Sequence, residues 1–359
     1  MRNLKKYFLA LALFWLTISK AQYSGYTFCD WDKITFNPQY IPEKTDTAVV
    51  FVSVRNYFPN KTEFMGNELD STHTLHYFSI YFNRNKWVCV PRKNLEEAFT
   101  GAPKNKDMVV YGEGLGREFI GNIDRATRLT RGYDVLTVMF DWPTYRPYLR
   151  RGKNYRKAKV QSKEVSKMMC DFFVGLEKIK PLIKSDSVNL TLLLHSLGNR
   201  LLKEAVTNNF INVKPKLFHH VVLNAPCVKK NGHKKWLEKL NIQDEIYLTR
   251  NNKDRTLNLA RWADFSERLG RHWGAAKAKN AVYLNFSPVL EKEHNYFLMT
   301  NVMVKHPDIK AIYSDIFHNK AINFDNEKLF IKQNRGRIIT LKRPETEGKD
   351  INISIGIGS

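Results

Sequence analysis

Cysteine is scarce in this chain: Cys29, Cys89, Cys170 and Cys227 are all there are among 359 residues, and they are far apart. No two form a C-x-x-C pair, so a structural zinc site is not expected. One disulfide or none, with buried thiols, is the expectation. No fixed-period repeat or low-complexity tract is present, which excludes solenoids and fibrous folds. Acidic residues are also few: 35 against 58 Lys and Arg leave a formal net charge of +23. Long apolar runs are missing beyond the first twenty residues, so no later segment is expected to span a bilayer.

The apolar run that does exist is Tyr7 to Ile18, preceded by Arg2, Lys5 and Lys6 and followed by Ser19-Lys20-Ala21. It reads as a secretory signal, Met1 to Ala21, and predicts an exported mature protein, periplasmic or extracellular; the alternative, an uncleaved anchor helix, is disfavoured because the run is shorter than the ~20 apolar residues a span needs. Cleavage would remove Arg2, Lys5, Lys6 and Lys20, so most of the basic excess remains. Much of it lies in YRPYLRRGKNYRKAKVQSK, Tyr145 to Lys163, where Arg146, Arg150, Arg151, Lys153, Arg156 and Lys157 alternate with tyrosines. Such a stretch predicts either a solvated basic loop or contacts with an anionic surface, lipid headgroups or polysaccharide. Nucleic acid is not an expected partner of an exported chain.

From residue 106 onward, short apolar runs alternate with amphipathic ones. DMVVYGEG, DVLTVMFDWP, SVNLTLLL, HHVVLNAP, EIYLT and AVYLNF read as strands. Between them, REFIGNIDRATRLTRG, VSKMMCDFFVGLEKIKPLI, GNRLLKEAVTN, KKWLEKL and LNLARWADFSERLG read as helices. This predicts an α/β fold with a mostly parallel sheet flanked by helices. TAVVFVSVRNYF and NKWVCVP are strands expected to extend it antiparallel, and LFIKQNRGRIITLKRP predicts a terminal hairpin around Asn334-Arg335-Gly336. The expected divisions are a signal at 1–21, sheet-extending strands at 22–105, a core at 106–325 and an extension at 326–359.

TLLLHSLGN delivers a serine from a strand directly into a helix, the context of a nucleophile elbow. Gly198 supplies the small residue two positions after Ser196, while Leu194 stands where the motif has its first glycine; a helix N-cap is the plainer alternative. Asp254 and His294 follow in the order such triads take, each just past the carboxyl end of a strand, where open α/β sheets place their sites. Asp264, His306 and His318 compete but fall in helical segments. Ser196 would attack, His294 would carry the proton, and Asp254 would hold the imidazole. The oxyanion hole would combine the Leu197 N–H with one from the loop Gly112-Glu113-Gly114. The Glu113 carboxylate would oppose an oxyanion there unless it turned to solvent or met Arg117.

These segments resemble, from about Thr47 to Phe317, a bacterial family of largely uncharacterised, esterase-like α/β-hydrolases with an HSMGN-type elbow. VFVSVRN, WVCVP, VVYGEG, VMFDWP, HSLGN, NAPCV, NNKD with ERLG, and HNYF match its pieces in order. Tyr111 stands where the family has histidine, and Cys227 where it has aspartate. The resemblance implies an α/β-hydrolase fold and cleavage of esters or related acyl bonds with neither metal nor cofactor.

Two other readings follow from the same residues. VVYGEGLG followed by VLTVMFD imitates a dinucleotide-binding unit with Asp141 as its ribose-binding acid, although the glycines at 112, 114 and 116 miss the G-x-G-x-x-G spacing. The other is a non-catalytic binding protein on the same fold that holds an anionic surface through the basic stretch.

Overall fold

The computed structural model describes residues 31–183 and 187–343. The signal pattern and Cys29 lie outside them, as does the end of the C-terminal extension. The described strands are β1 (Ile34–Phe36), β2 (Thr47–Ser53), β3 (Arg55–Tyr57), β4 (Met65–Leu69), β5 (His76–Asn83), β6 (Lys86–Arg92), β7 (Met108–Gly112), β8 (Leu136–Asp141), β9 (Leu190–His195), β10 (Phe218–Asn224), β11 (Gln243–Arg250), β12 (Ala281–Asn285), β13 (Phe330–Gln333) and β14 (Ile338–Leu341). Twelve form one sheet in the order β1-β6-β5-β2-β8-β7-β9-β10-β11-β12-β14-β13, and β3 pairs separately with β4.

From β2 across to β14 every neighbouring pair is parallel. The inner strands β7, β8 and β9 are buried along their whole length, which is why they read as unbroken apolar runs rather than alternating ones. The N-terminal strands depart from the expected antiparallel extension. β2 joins β8 in parallel, β5 alone runs antiparallel to its neighbours β2 and β6, and β1 lies parallel to β6. The direction of β2 is fixed at its end by Ser53 and Arg55, whose side chains both bind Asp141 at the end of β8. At the other edge, β13 and β14 make the expected hairpin, with Asn334, Arg335 and Gly336 all at positive φ.

The helices are α1 (Leu95–Ala98), α2 (Phe119–Tyr133), α3 (Arg151–Ile183), α4 (Asn199–Thr207), α5 (His233–Leu237), α6 (Arg255–Asp264), α7 (Thr300–Lys305) and α8 (Pro307–Phe317). They cover both faces. On one, Phe119 of α2 packs edge-on to Phe51 of β2, and Tyr133 of α2 meets Phe317 of α8. On the other, Phe172 and Phe173 of α3 pack on Phe140 of β8 and Phe218 of β10. Among the described residues no helix is long and apolar enough to cross a membrane.

Two helix boundaries differ from the expected ones. α3 begins at Arg151, so most of the basic stretch is its first turns and not a loop. Tyr155, Ala158, Ser162, Val165, Ser166 and Met169 are buried at helical spacing, and Asn154 closes the entry by bonding the Arg146 N–H and the carbonyls of Arg146 and Leu149. α6 stops at Asp264 because Phe265 takes a left-handed conformation, φ 48°, leaving Ser266 to Gly270 outside the helix. Cys89, Cys170 and Cys227 are buried free thiols.

Candidate active site

The carboxyl ends of the parallel strands β7, β9 and β10 lie at one edge, and there the chain turns through a left-handed residue at Ser196. Its φ of 51° lies in the left-handed region, strained for any residue with a side chain. Fixed contacts hold the strain: Asn199 Nδ2 donates to the carbonyls of Leu194, Ser196 and Asn224, and the Cys227 N–H donates to the Ser196 carbonyl at 2.9 Å. A Cβ on Gly198 would lie 2.6 Å from the Gly112 carbonyl oxygen, so the elbow needs glycine there. Leu194 is tolerated in place of the motif's first glycine because its ladder partner is Gly112, where a Cβ would come within 2.6 Å of the leucine Cδ2.

Asp254 is fully buried and divides its two oxygens. Oδ1 accepts from the Leu257 N–H at 2.9 Å, capping α6, and Oδ2 lies 2.5 Å from His294 Nδ1. Asn251 ties the two loops together by donating to the carbonyls of Glu291 and Glu293. His294 and Ser196 line the same cleft, of about 290 Å³. The competing residues are engaged elsewhere: Asp264 binds Tyr155, Lys159 and Arg268, and His318 binds Asp107, which precedes β7 at the opposite edge of the sheet. His306 is the residue between α7 and α8.

The loop after β7 passes directly over the serine. A Cβ on Gly114 would stand 2.6 Å from Ser196 Cβ and 3.0 Å from the Leu197 nitrogen. Leu197 is in the first turn after the strand, where N–H groups have no acceptor within the helix. Trp142 Nε1 donates to the Glu113 carbonyl at 2.8 Å and fixes the orientation of that peptide.

The Glu113 carboxylate neither turns to solvent nor takes Arg117 as its closest partner. It is buried, accepts from Tyr111 Oη at 2.6 Å and from the Gly114 N–H at 2.7 Å, and lies 2.5 Å from His195 Nδ1 and 3.4 Å from Arg125 Nε. Burial would raise its pKa, but the charges around it, with the bond from His195, hold it well below the ordinary carboxylate range. His195 is pushed below the ordinary imidazole value, by burial first and against the pull of Glu113. A neutral His195 donating through Nδ1 to an ionised Glu113 satisfies both directions, with Arg125, Arg117, Tyr111 and Gly114 holding the carboxylate. The side chain of residue 113 is therefore structural, and only its backbone can serve an oxyanion. Tyr111, in the place of the family's histidine, is one of its anchors. The His195 and His294 rings are 4.6 Å apart, so two carboxylate–histidine pairs stand side by side. Nothing in the sequence marked the inner pair, since its members are 82 positions apart.

The basic stretch divides rather than forming one surface. Arg146 is buried and binds Glu68, Gln161 and the Pro143 carbonyl, which removes it from any anionic-surface set. Lys157 also pairs with Glu68, at 2.7 Å. Burial raises the Glu68 pKa, yet the bonds from Arg146, Lys157 and Tyr148 outweigh it and bring the carboxyl to about 2. Arg150, Lys153 and Arg156 are exposed, and Arg151 lines the cleft of Ser196. Asp141, the ribose-binding candidate, is buried against Arg55, Ser53 and Asn122 and cannot meet a nucleotide.

Among solved structures, the chain is similar to carboxyl esterase 2 from the mycorrhizal fungus Tuber melanosporum, at 12% identity and a TM-score of 0.38 over 80% of this chain and 90% of that one. It is similar to an esterase from Pyrobaculum calidifontis at 13% identity and 0.33, over 68% and 81%. Esterase B from Lactobacillus rhamnosis, in a tributyrin phosphonate-inhibited form, is similar at 12% and 0.40, over 88% and 95%. Likenesses this distant assign no activity. No match is found among curated proteins. A family model described as an alpha/beta hydrolase of unknown function (DUF900) matches residues 92–286, more than half of the sequence and including the elbow, and the chain belongs to that family.

Proposed function

We propose that the chain is a serine hydrolase that cleaves an ester or related acyl bond through an acyl-enzyme on Ser196. The observation that carries this reading is the strained, immobilised Ser196 lining one cleft with His294, whose Nδ1 is held 2.5 Å from the buried Asp254. His294 takes the Ser196 hydroxyl proton as Oγ bonds to the acyl carbon. The tetrahedral intermediate then expels the alcohol, which receives that proton from Nε2. A water, deprotonated by the same nitrogen, attacks the acyl-enzyme and releases the acid and free Ser196. Asp254 keeps the imidazole proton on Nδ1 in the resting state and stabilises the imidazolium that forms. The Leu197 N–H and the Glu113 N–H are the proposed oxyanion donors, since the Gly114 N–H is taken by the Glu113 carboxylate.

Covalent labelling with a fluorophosphonate tests this directly. The wild type is expected to label stoichiometrically and to hydrolyse 4-nitrophenyl esters, and Ser196→Ala to do neither. Equal behaviour of the two proteins would favour a non-catalytic binding protein. The Met1–Ala21 pattern supports export as part of the same reading; a mature N-terminus at Gln22, read by mass spectrometry on secreted material, is the expected result.

A further inference from the structure

We infer that helix α6 and the residue just past it dock on an anionic lipid surface, with Trp262 and Phe265 entering the headgroup layer and the start of α3 supplying cations beside them. This goes beyond the hydrolase reading and does not depend on it. Leu257 is the one buried residue among the ten of α6. On the face away from it, Leu259, Trp262 and Ala263 stand at i, i+3 and i+4, an apolar stripe where a surface helix ordinarily carries polar groups. Trp262 is 62% exposed and Phe265 93%. The φ of 48° at Phe265 puts a bulky side chain in the left-handed position that glycine or asparagine takes at less cost. Neither burial nor backbone preference accounts for a phenylalanine there.

Charge decides what covers this surface. The acids between Arg255 and Arg271 are Asp264 and Glu267, and both are engaged within the chain: Asp264 by Lys159, Arg268 and Tyr155, Glu267 by Arg261 and Arg271. The Asp264 contacts set the end of α6 against Tyr155 and Lys159 of α3. Next to these, Arg150, Lys153 and Arg156 are exposed, and their side chains bind no acid among the described residues. Exposed aromatic rings settle at the level of lipid headgroups, and free lysines and arginines beside them are drawn to anionic lipid. A second copy of the chain fits less well, because a two-fold contact would set the same basic patch against itself. Thr256 of α6 and Arg151 of α3 line the cleft of Ser196, so the docking surface adjoins its mouth.

The test is co-flotation of the Ser196→Ala chain with vesicles of phosphatidylcholine, alone or with about a third phosphatidylglycerol. That substitution keeps the lipid intact and separates the result from the hydrolase reading. Apparent affinity for the anionic vesicles is expected to exceed that for the neutral ones by about tenfold or more, and to fall as salt is added. Trp262→Ser and Phe265→Asn, each made in the same chain, are expected to weaken binding by about fivefold or more. The melting temperature of Phe265→Asn should stay unchanged or rise, because asparagine tolerates the left-handed position. Lys153→Gln and Arg156→Gln together should lower the preference for anionic vesicles by about fivefold or more. Lys320→Gln, an exposed lysine two residues past His318 at the opposite sheet edge, should leave binding unchanged. No vesicle binding, binding indifferent to lipid charge, or binding that the α6 and α3 variants leave intact overturns the inference. A dimer in sedimentation velocity that Trp262→Ser dissociates, without vesicle binding, overturns it too and assigns the surface to a second copy.

Discussion

Asp254 carries two duties through two oxygens, and substitutions can separate them. In Asp254→Asn the amide oxygen can still accept from the Leu257 N–H, but its NH2 then faces His294 Nδ1 and forces the imidazole proton onto Nε2, toward the serine. Turnover of a 4-nitrophenyl ester is expected to fall about 10⁴-fold with the melting temperature nearly unchanged. Asp254→Ala should lose the helix cap as well, destabilising by about 1 kcal/mol more than Asn. Glu113 is the contrasting residue. Glu113→Gln would leave Arg125 beside an uncharged partner in a buried place, and urea unfolding near neutral pH should show a loss of about 3–5 kcal/mol. The pH dependence has a definite sign. The folded-state pKa lies below the unfolded value of about 4.3, so this stabilisation is complete above that pH and is lost as the pH falls toward the folded value. The gap between wild type and Glu113→Gln should therefore narrow on acidification below about pH 4.3. Chain order and strand ends suffice to nominate Ser196, Asp254 and His294 as candidates, and two of them, Asp254 and His294, lie within hydrogen-bond distance. The partner of Glu113 was not legible in this way, since only the register of β7 against β9 brings residues 113 and 195 together.

At the scale of the element, the geometry of the site depends on how closely the β7 loop lies on the elbow. Gly198→Ala places a Cβ against the carbonyls of Gly112 and Glu113, and Gly114→Ala places one against Ser196. Either should displace the β7 loop and with it the proposed oxyanion donor, lowering kcat by about 10²-fold or more while circular dichroism stays that of the folded chain. Recovery of full activity in either variant would show that the 112–114 backbone is not the oxyanion donor. The glycines were visible in the sequence as turn signals, but which neighbour each one clears was not. Helix α3 teaches a related point. Tyr155, Ala158 and Ser162 begin its buried face ten residues before Val165, yet the charges among them disguise the period, because only the exposed side of the helix is basic.

For the whole molecule, the decisive unit is the continuous sheet, and Arg55 is where its N-terminal part is locked to the hydrolase core. Its guanidinium lies in a fully buried ion pair with Asp141 and also donates to the carbonyls of Arg117 and Trp142. One side chain thus joins the end of β2, the end of β8, the entry to α2 and the Trp-Pro turn whose indole holds the Glu113 carbonyl. The strands before residue 106 were readable as strands. Their direction was not, because a β-branched run has no polarity until its ends find partners, and here the partner of Ser53 and Arg55 lies more than eighty positions away. Removing residues 22–105 would leave β8 as an open edge and Asp141 buried without Arg55, so expression of 106–359 alone is expected to give aggregated protein with no ester turnover. The point variant Asp141→Ala isolates the lock from the edge. It should destabilise the full chain by about 3–5 kcal/mol in urea unfolding and also lower kcat, because the stranded Arg55 no longer fixes the two carbonyls beside the proposed oxyanion loop. A stable, active 106–359 fragment would instead make the N-terminal strands an accessory layer and place the organisation of the site wholly within the later strands.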